Sequence, residues 1–427
     1  MRPVLRSAAV LAALAVAATG CGGGGSDDGV VELRFSWWGA DERHTRTQEV
    51  IDRFEASHPN IRITGEYTDW DAYWDRLATS TAANDAPDII SQEERYLREY
   101  ADRGALLDLE EYGEQLDLSE IDELALTSGQ LEDGTFGVAT GINVASIMAD
   151  PELYDEAGVE MPDDSTWTWD DFIETSAAIT EATDGEIYGT QAMGVTEGPF
   201  QMFARQHGES VYTDDGQLGF SPQTMTDWWE IVARVHEEEG AAGAAESVEI
   251  DAGGPDLSTV ATGSGAMAHF WTNQFGVISN ASGHELQLLR FPGETEFDRT
   301  GVYLKPAMFY SISAGTDHPE EAAEFVDFLL NDVEAAEIIL ADRGLAANTR
   351  IRDETRDALP PADAATADYI EELTPDVVDA VQVPPIGAGE VVDITKRINE
   401  EVMFGRLTPA EATDQWISEV ETAIGSA

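Results

Sequence analysis

Basic residues are scarce in this chain. Against 84 Asp and Glu it has 23 Lys and Arg, and only two of these are lysines, Lys305 and Lys396. The formal net charge is −61. Such a surface repels phosphate backbones, so nucleic acid is not an expected partner. The acidic excess reads as a solvated surface rather than a specific docking site. Cysteine is scarcer still: Cys21 is the only one, so no intramolecular disulfide can form. Past the first 20 residues no run approaches the roughly 20 apolar residues that a membrane span needs.

Catalytic signatures are also lacking. There is no G-x-S-x-G, no H-E-x-x-H and no Walker A loop, and "ATGSGAM" lacks the lysine a phosphate cradle requires. The seven histidines show no metal-ligand spacing. "HEEEG" (His236 to Gly240) reads as a solvated helix end, and "YTDDGQ" (Tyr212 to Gln217) as a turn. Among so many carboxylates a glycosidase pair carries no information. No metal and no cofactor is expected.

What is present starts at the N-terminus. Arg2 and Arg6 precede an apolar stretch, Ala8 to Ala18, too short to span a bilayer. "ATGC" follows and resembles a bacterial lipobox, with Ala18 where leucine is usual. The reading is a signal peptide over 1–20, lipidation of Cys21 and a glycine-rich tether to residue 29, which holds the body at the outer face of the cell membrane.

The body alternates strand and helix. "VVELRFSWWG" reads as a first strand, Arg46 to Pro59 as a helix burying Val50, Ile51 and Phe54, "IRITGEYT" as a second strand, "DAYWDRLATSTAAND" as a second helix and "APDIIS" as a short third strand. "ERYLREYADRG" closes a β-α-β-α-β-α unit, the mark of an α/β lobe with a mostly parallel sheet. Further on, Phe136 to Asp150 reads as two extended runs around Gly141, Glu246 to Gly265 as looser chain, and His318 to Gly344 as strongly helical.

Ten tryptophans and eleven tyrosines are a heavy load, and several fall in loops or at strand ends. A sugar ring offers a flat C–H face to an indole and hydroxyls to planar polar side chains. Trp74 and Trp229, on helix faces, read as core. The tandem Trp37 and Trp38 read differently: neighbouring side chains on a strand face opposite ways, so one ring is core and the other faces a cleft.

In order along the chain, "LRFSWWGADERH", "VIDRFEASHPNIRI", "WDAYWDRLATSTAANDAPDII", "REYADRGALLDLEEY", "GSGAMAHFWTNQ" and "ISAGTDHPEEAAEFVDFLLND...RGLAAN" resemble the family 1 extracellular solute-binding proteins of ABC-type sugar importers. The resemblance implies an α/β, two-lobe periplasmic-binding-protein-like (type II) fold with hinge strands and an interlobe cleft. Lobe one would take 30–142 plus 306–350, and lobe two 143–305 plus 351–427. It implies a carbohydrate ligand, no catalysis, partners in the permease transmembrane subunits and a cytoplasmic ATPase, membrane contact by the lipid anchor only, and a monomer. Ligand contacts would come from Trp37, Trp38, Gly39 and Arg43; Trp70 and Tyr73; Gln92, Glu93 and Glu94; Asn143; Trp271 and Asn273; Phe309; and Arg343 with Gly344. Arg43, His44 and Arg46 could pair with uronate carboxylates. A binder of another solute (a glycerophosphodiester, a polyamine, a peptide) and a glycan-active hydrolase stay open as alternatives.

Overall fold

The structure, a computed structural model, describes residues 29–39, 41–131 and 134–425. The signal peptide, Cys21 and all but the last residue of the tether lie outside the described residues.

Strand β1 (Val31–Trp38) pairs in parallel with β2 (Ile61–Thr68) on one side and β3 (Ile89–Gln92) on the other. The sheet continues into Phe309–Ile312, antiparallel to β3, and then Val138–Ala139. Helices α1 (Asp41–Ser57) and α2 (Trp70–Ala82) are the crossovers, and α3 (Glu94–Asp102) follows β3. Helix α1 begins at Asp41, not Arg46, with Asp41 and Glu42 in its first turn where carboxylates favour the positive end of the helix dipole. It stops short of Pro59. Its Val50, Ile51 and Phe54 are fully buried, each worth about 1.5–3 kcal/mol of transfer free energy.

A second lobe is built on the sheet Gln287–Leu289, Ala145–Ala149, Gly265–Trp271 and Tyr188–Thr190, in that order. Trp169–Ala182, capped by a reciprocal Thr168–Asp171 box, packs near it with Pro222–Glu237, Val391–Met403 and Pro409–Gly425. Trp229, Trp228 and Trp416 fill the space between, each 1% exposed. The segment read as looser chain is largely helical: Ala244–Gly253, then Thr259–Thr262 with Ser258 accepting from the Ala261 amide. Gly254 and Gly263 follow the two helices with positive φ, a backbone that favours glycine.

Between the lobes lies a third, small sheet. Gly141–Asn143 runs antiparallel to Lys305–Pro306 on one side and Leu345–Ala346 on the other. Two glycines permit this close crossing. A Cβ on Gly141 would lie 2.3 Å from the Arg343 carbonyl oxygen. Gly344 has φ of +80°, and a Cβ there would lie 3.0 Å from the Ile142 nitrogen.

Candidate functional site

Alternation along β1 sends Trp37 and Trp38 to opposite faces, and both faces are covered. Trp37 is fully buried, its ring over Gly65, where a Cβ would come within 2.6 Å of it. Phe35 packs at 4.9 Å, and His44 and Tyr67 stack at 5.8 and 6.2 Å. Trp38 lies among Trp70 at 5.1 Å, Tyr73 at 5.3 Å and Trp74 at 5.7 Å. Neither ring presents an open face, which corrects the expectation that one of them would. The exposed member of this cluster is Trp70, 38% exposed at the start of α2.

Most other expected contacts are likewise interior. The Tyr73 hydroxyl donates to the carbonyls of Ser91 (2.7 Å) and Ser36 (3.4 Å), and burial pushes its pKa up. Phe309 is fully buried beside Gly137. Gln92 is fully buried with both amide atoms unpartnered among the described residues, and Asn143 is buried in the hinge strand opposite Lys305. Arg343 is 1% exposed. Gly344 serves the hinge crossing described above. Asn273 is exposed just past Trp271 but does not line the cleft pocket.

The loop cations are engaged internally. Arg43 Nε pairs with Asp342 Oδ2 at 2.9 Å, and its Nη1 and Nη2 donate to the carbonyls of Trp38 and Asp342. Its side chain also packs where a Cβ on Gly39 would stand, 2.8 Å from Arg43 Cδ. Arg46 donates to the Ile338 carbonyl and to Glu42, and His44 stacks at 3.8 Å on Tyr67. Arg43 and Arg46 tie α1 to 338–342, and His44 packs on β2, instead of awaiting a uronate.

The cleft itself is a pocket between the lobes. Lobe one supplies Glu94 and Arg95 from the start of α3. Lobe two supplies Glu197 and Gln201 from the helix Glu197–Gln206, Tyr212, Trp271 and Tyr303. Lys305 enters from the hinge, and Gln382 and Pro384 from the C-terminal loop. Trp271 lies at the end of its strand over Gly198, where a Cβ would meet the ring at 2.9 Å.

Charge is tightly organised here. Arg95 bridges Glu93 (2.7 Å) on its own lobe and Glu197 (2.8 Å) on the other. Lys305 pairs with Glu94, with its ammonium 5.6 Å over the Trp271 ring. Burial would lower the Arg95 pKa, but the three nearby glutamates outweigh it and hold it well above its ordinary value. Burial pushes Glu93 up despite Arg95. Burial also acts to raise Glu197, yet Arg95 prevails and holds it below the ordinary carboxylate range. Three carboxylates thus face two cations, and each cation already has a carboxylate partner. The arrangement suits a ligand held by stacking and hydrogen bonds. Among the described residues no cluster of three or more His, Cys, Asp or Glu is placed to hold a metal ion.

Of the expected residues, Glu94 and Trp271 line this pocket, and Glu93 supports it through Arg95. Arg95, Glu197, Gln201, Tyr212, Tyr303, Lys305 and Gln382 are contributions that sequence reasoning misses. Lys305 carried a signal, being one of two lysines in the chain.

A family model described as bacterial extracellular solute-binding protein matches residues 40–336. A Streptomyces antibioticus protein called the uncharacterized lipoprotein in oleD 5′ region is 26% identical over 356 residues, covering 80% of this chain and 76% of that one. Among solved structures, a family 1 extracellular solute-binding protein from Alicyclobacillus acidocaldarius matches with a TM-score of 0.74 at 24% identity, over 92% of this chain and 98% of that one. A Yersinia enterocolitica periplasmic oligogalacturonide binding protein, in complex with saturated digalacturonic acid, gives 0.79 at 20%, over 93% and 99%. The GacH receptor of Streptomyces glaucescens, from a study of its unliganded and acarbose-bound forms, gives 0.73 at 17%, over 93% and 99%.

Proposed function

The chain belongs to the bacterial extracellular solute-binding protein family, and we propose that it captures a sugar or oligosaccharide between its lobes and delivers it to an ABC-type permease. The observation that carries this reading is the composition of the cleft: Trp271, Tyr212 and Tyr303 beside carboxylate and amide groups drawn from both lobes. Indole and phenol rings suit the C–H faces of a sugar, and planar polar groups suit its hydroxyls. A ligand touching both lobes shifts an open–closed equilibrium toward closure, and the closed shape docks on the permease transmembrane subunits, which a cytoplasmic ATPase drives. No bond in the ligand is made or broken.

In this reading the lobes are 30–142 plus 306–350 and 143–305 plus 351–427, a division that the three-stranded crossing near 142, 305 and 345 supports. The names of two structural neighbours, one an oligogalacturonide binder and one studied in complex with acarbose, support a carbohydrate. The lipoprotein name of the Streptomyces relative supports anchoring through Cys21 at the outer face of the cell membrane. No helix among the described residues is long and apolar enough to cross a membrane. Among sugars, the cleft favours a neutral one over a uronate, because Arg95 and Lys305 are already engaged by glutamates and the cluster carries excess negative charge.

A melting screen over neutral sugars, uronates, glycerophosphodiesters, polyamines and peptides tests this. A true ligand at 100 times its Kd adds about 2.7 kcal/mol of stability. A shift from a non-sugar class, with none from any sugar, overturns the reading; hydrolysis of an oligosaccharide by purified protein overturns the non-enzymatic part of it.

A further inference from the structure

The interior of lobe one contains an arginine with no counter-ion among the described residues. Arg343 is 1% exposed, and its only side-chain hydrogen bond among the described residues is from Nη2 to Thr47 Oγ1 at 2.7 Å. Its Nε and Nη1 are buried with no partner among the described residues. Asp342 next to it is held by Arg43 instead, at 2.9 Å. The Tyr310 ring, 6.0 Å from the guanidinium carbon, is a weak compensation. Arg205 offers the contrast. It is as deeply buried at 2% exposure, but it donates to three backbone carbonyls and pairs with the Asp379 carboxylate at 2.7 Å.

Beside Arg343 is a small cavity walled by Tyr310, Leu330, Ile339 and Leu340 and, from the hinge crossing, Thr140 and Gly344. A buried cation left unpaired is strongly unfavourable, and the ordinary remedy is a partner of opposite charge. Apart from Arg343 the walls of the cavity are mostly apolar, which suits a small monovalent anion with modest hydrogen-bonding needs better than a multiply charged oxyanion. We propose that it is an anion site taking one halide-sized monovalent ion, chloride being the natural occupant, held by Arg343 Nε and Nη1. The ion would neutralise Arg343 where the strand Leu345–Ala346 leaves lobe one for the crossing, so its binding stabilises the wall of the hinge. Nothing in this depends on what the cleft binds.

The test uses crystals of the mature protein soaked in sodium bromide, together with melting curves of the same protein in sodium chloride and in sodium gluconate at equal ionic strength. The matched ionic strength removes general screening of so acidic a surface. The expected result is an anomalous bromide peak within hydrogen-bonding distance of Arg343 Nε or Nη1. The melting temperature should also rise with chloride along a binding isotherm that gluconate, too large to enter, does not reproduce. Arg343→Gln and Arg343→Met should lose that chloride-specific rise, whatever their own stability. A peak absent at saturating bromide overturns the proposal and leaves water as the occupant. A chloride-specific rise that persists in both variants overturns it too, by placing the responsible ion elsewhere.

Discussion

Arg95, at the start of a lobe-one helix, holds Glu197, at the start of a lobe-two helix, at 2.8 Å across the cleft. Both side chains are less than one-fifth exposed, so solvent screens the pair poorly. Arg98 adds to the tie by donating to the carbonyls of Val383 and Pro384. The two lobes are therefore tied together partly by the chain's own charges. Arg95→Met should leave Glu93 and Glu197 without their ion-pair partner, with only the more distant Lys305 charge nearby. A cost of about 2–5 kcal/mol is expected, the range for stripping one partner from a buried pair. Small-angle scattering should report a larger radius of gyration for the ligand-free variant. An unchanged radius would mean that the lobes are held by packing alone.

The tryptophans should separate by burial. Trp37→Ala empties a fully enclosed site over Gly65 and should cost about 3–5 kcal/mol in a urea melt. Trp38→Ala should also act on stability, because Trp70, Tyr73 and Trp74 enclose its ring. Trp271→Ala, in the cleft and only partly buried, should reduce ligand affinity while costing under about 2 kcal/mol of stability. Calorimetric titration with the sugar found by the screen checks the last point, and retained affinity would remove Trp271 from the site.

A pH effect is expected from His269, on the lobe-two strand that ends in Trp271. Burial alone pushes its pKa from 6.5 down to about 3, so it is neutral in the folded protein. The unfolded chain takes up a proton below pH 6.5 and the folded one does not until near pH 3. The stability conferred by the neutral ring is therefore fully present above the unfolded value and is lost as pH falls through that window, at up to about 1.4 kcal/mol per pH unit. His269→Gln should flatten the acid limb of the stability profile by that slope relative to the wild type. Parallel profiles would show that the ring ionises in place.

The lobe-one framework was legible because it rests on local pattern. The stripe Val50, Ile51, Phe54 recurs at helical spacing, Pro59 stops the helix, and "PDII" is a short apolar run bounded by turn residues. The tandem tryptophans were half legible: alternation assigns them to opposite faces, but only the placement of α1 and α2 decides that both faces are covered. The cleft was the least legible part. Glu197 lies 102 residues from Arg95, and among 84 acidic residues nothing local distinguishes it. The same holds for Arg43, whose partner Asp342 is 299 residues away. An arginine in a loop beside tryptophans looks like a ligand contact until the fold supplies its carboxylate.

The hinge crossing offers the most localised test. Gly344 combines a left-handed backbone, φ +80°, with neighbours on every side: a Cβ would meet Ala307 Cβ at 2.9 Å, the Ile142 nitrogen at 3.0 Å and the Gly141 carbonyl carbon at 3.1 Å. Two of these three atoms are backbone and cannot rotate away. Gly344→Ala should therefore cost more than the roughly 1 kcal/mol of a left-handed alanine alone, reaching about 2–3 kcal/mol. It should also splay the strand Leu345–Ala346 from Gly141–Asn143, raising amide exchange at Ile142 while leaving β1 and β2, remote from the crossing, protected as in the wild type. Hydrogen-exchange mass spectrometry distinguishes this from general destabilisation, in which protection would fall across both lobes together.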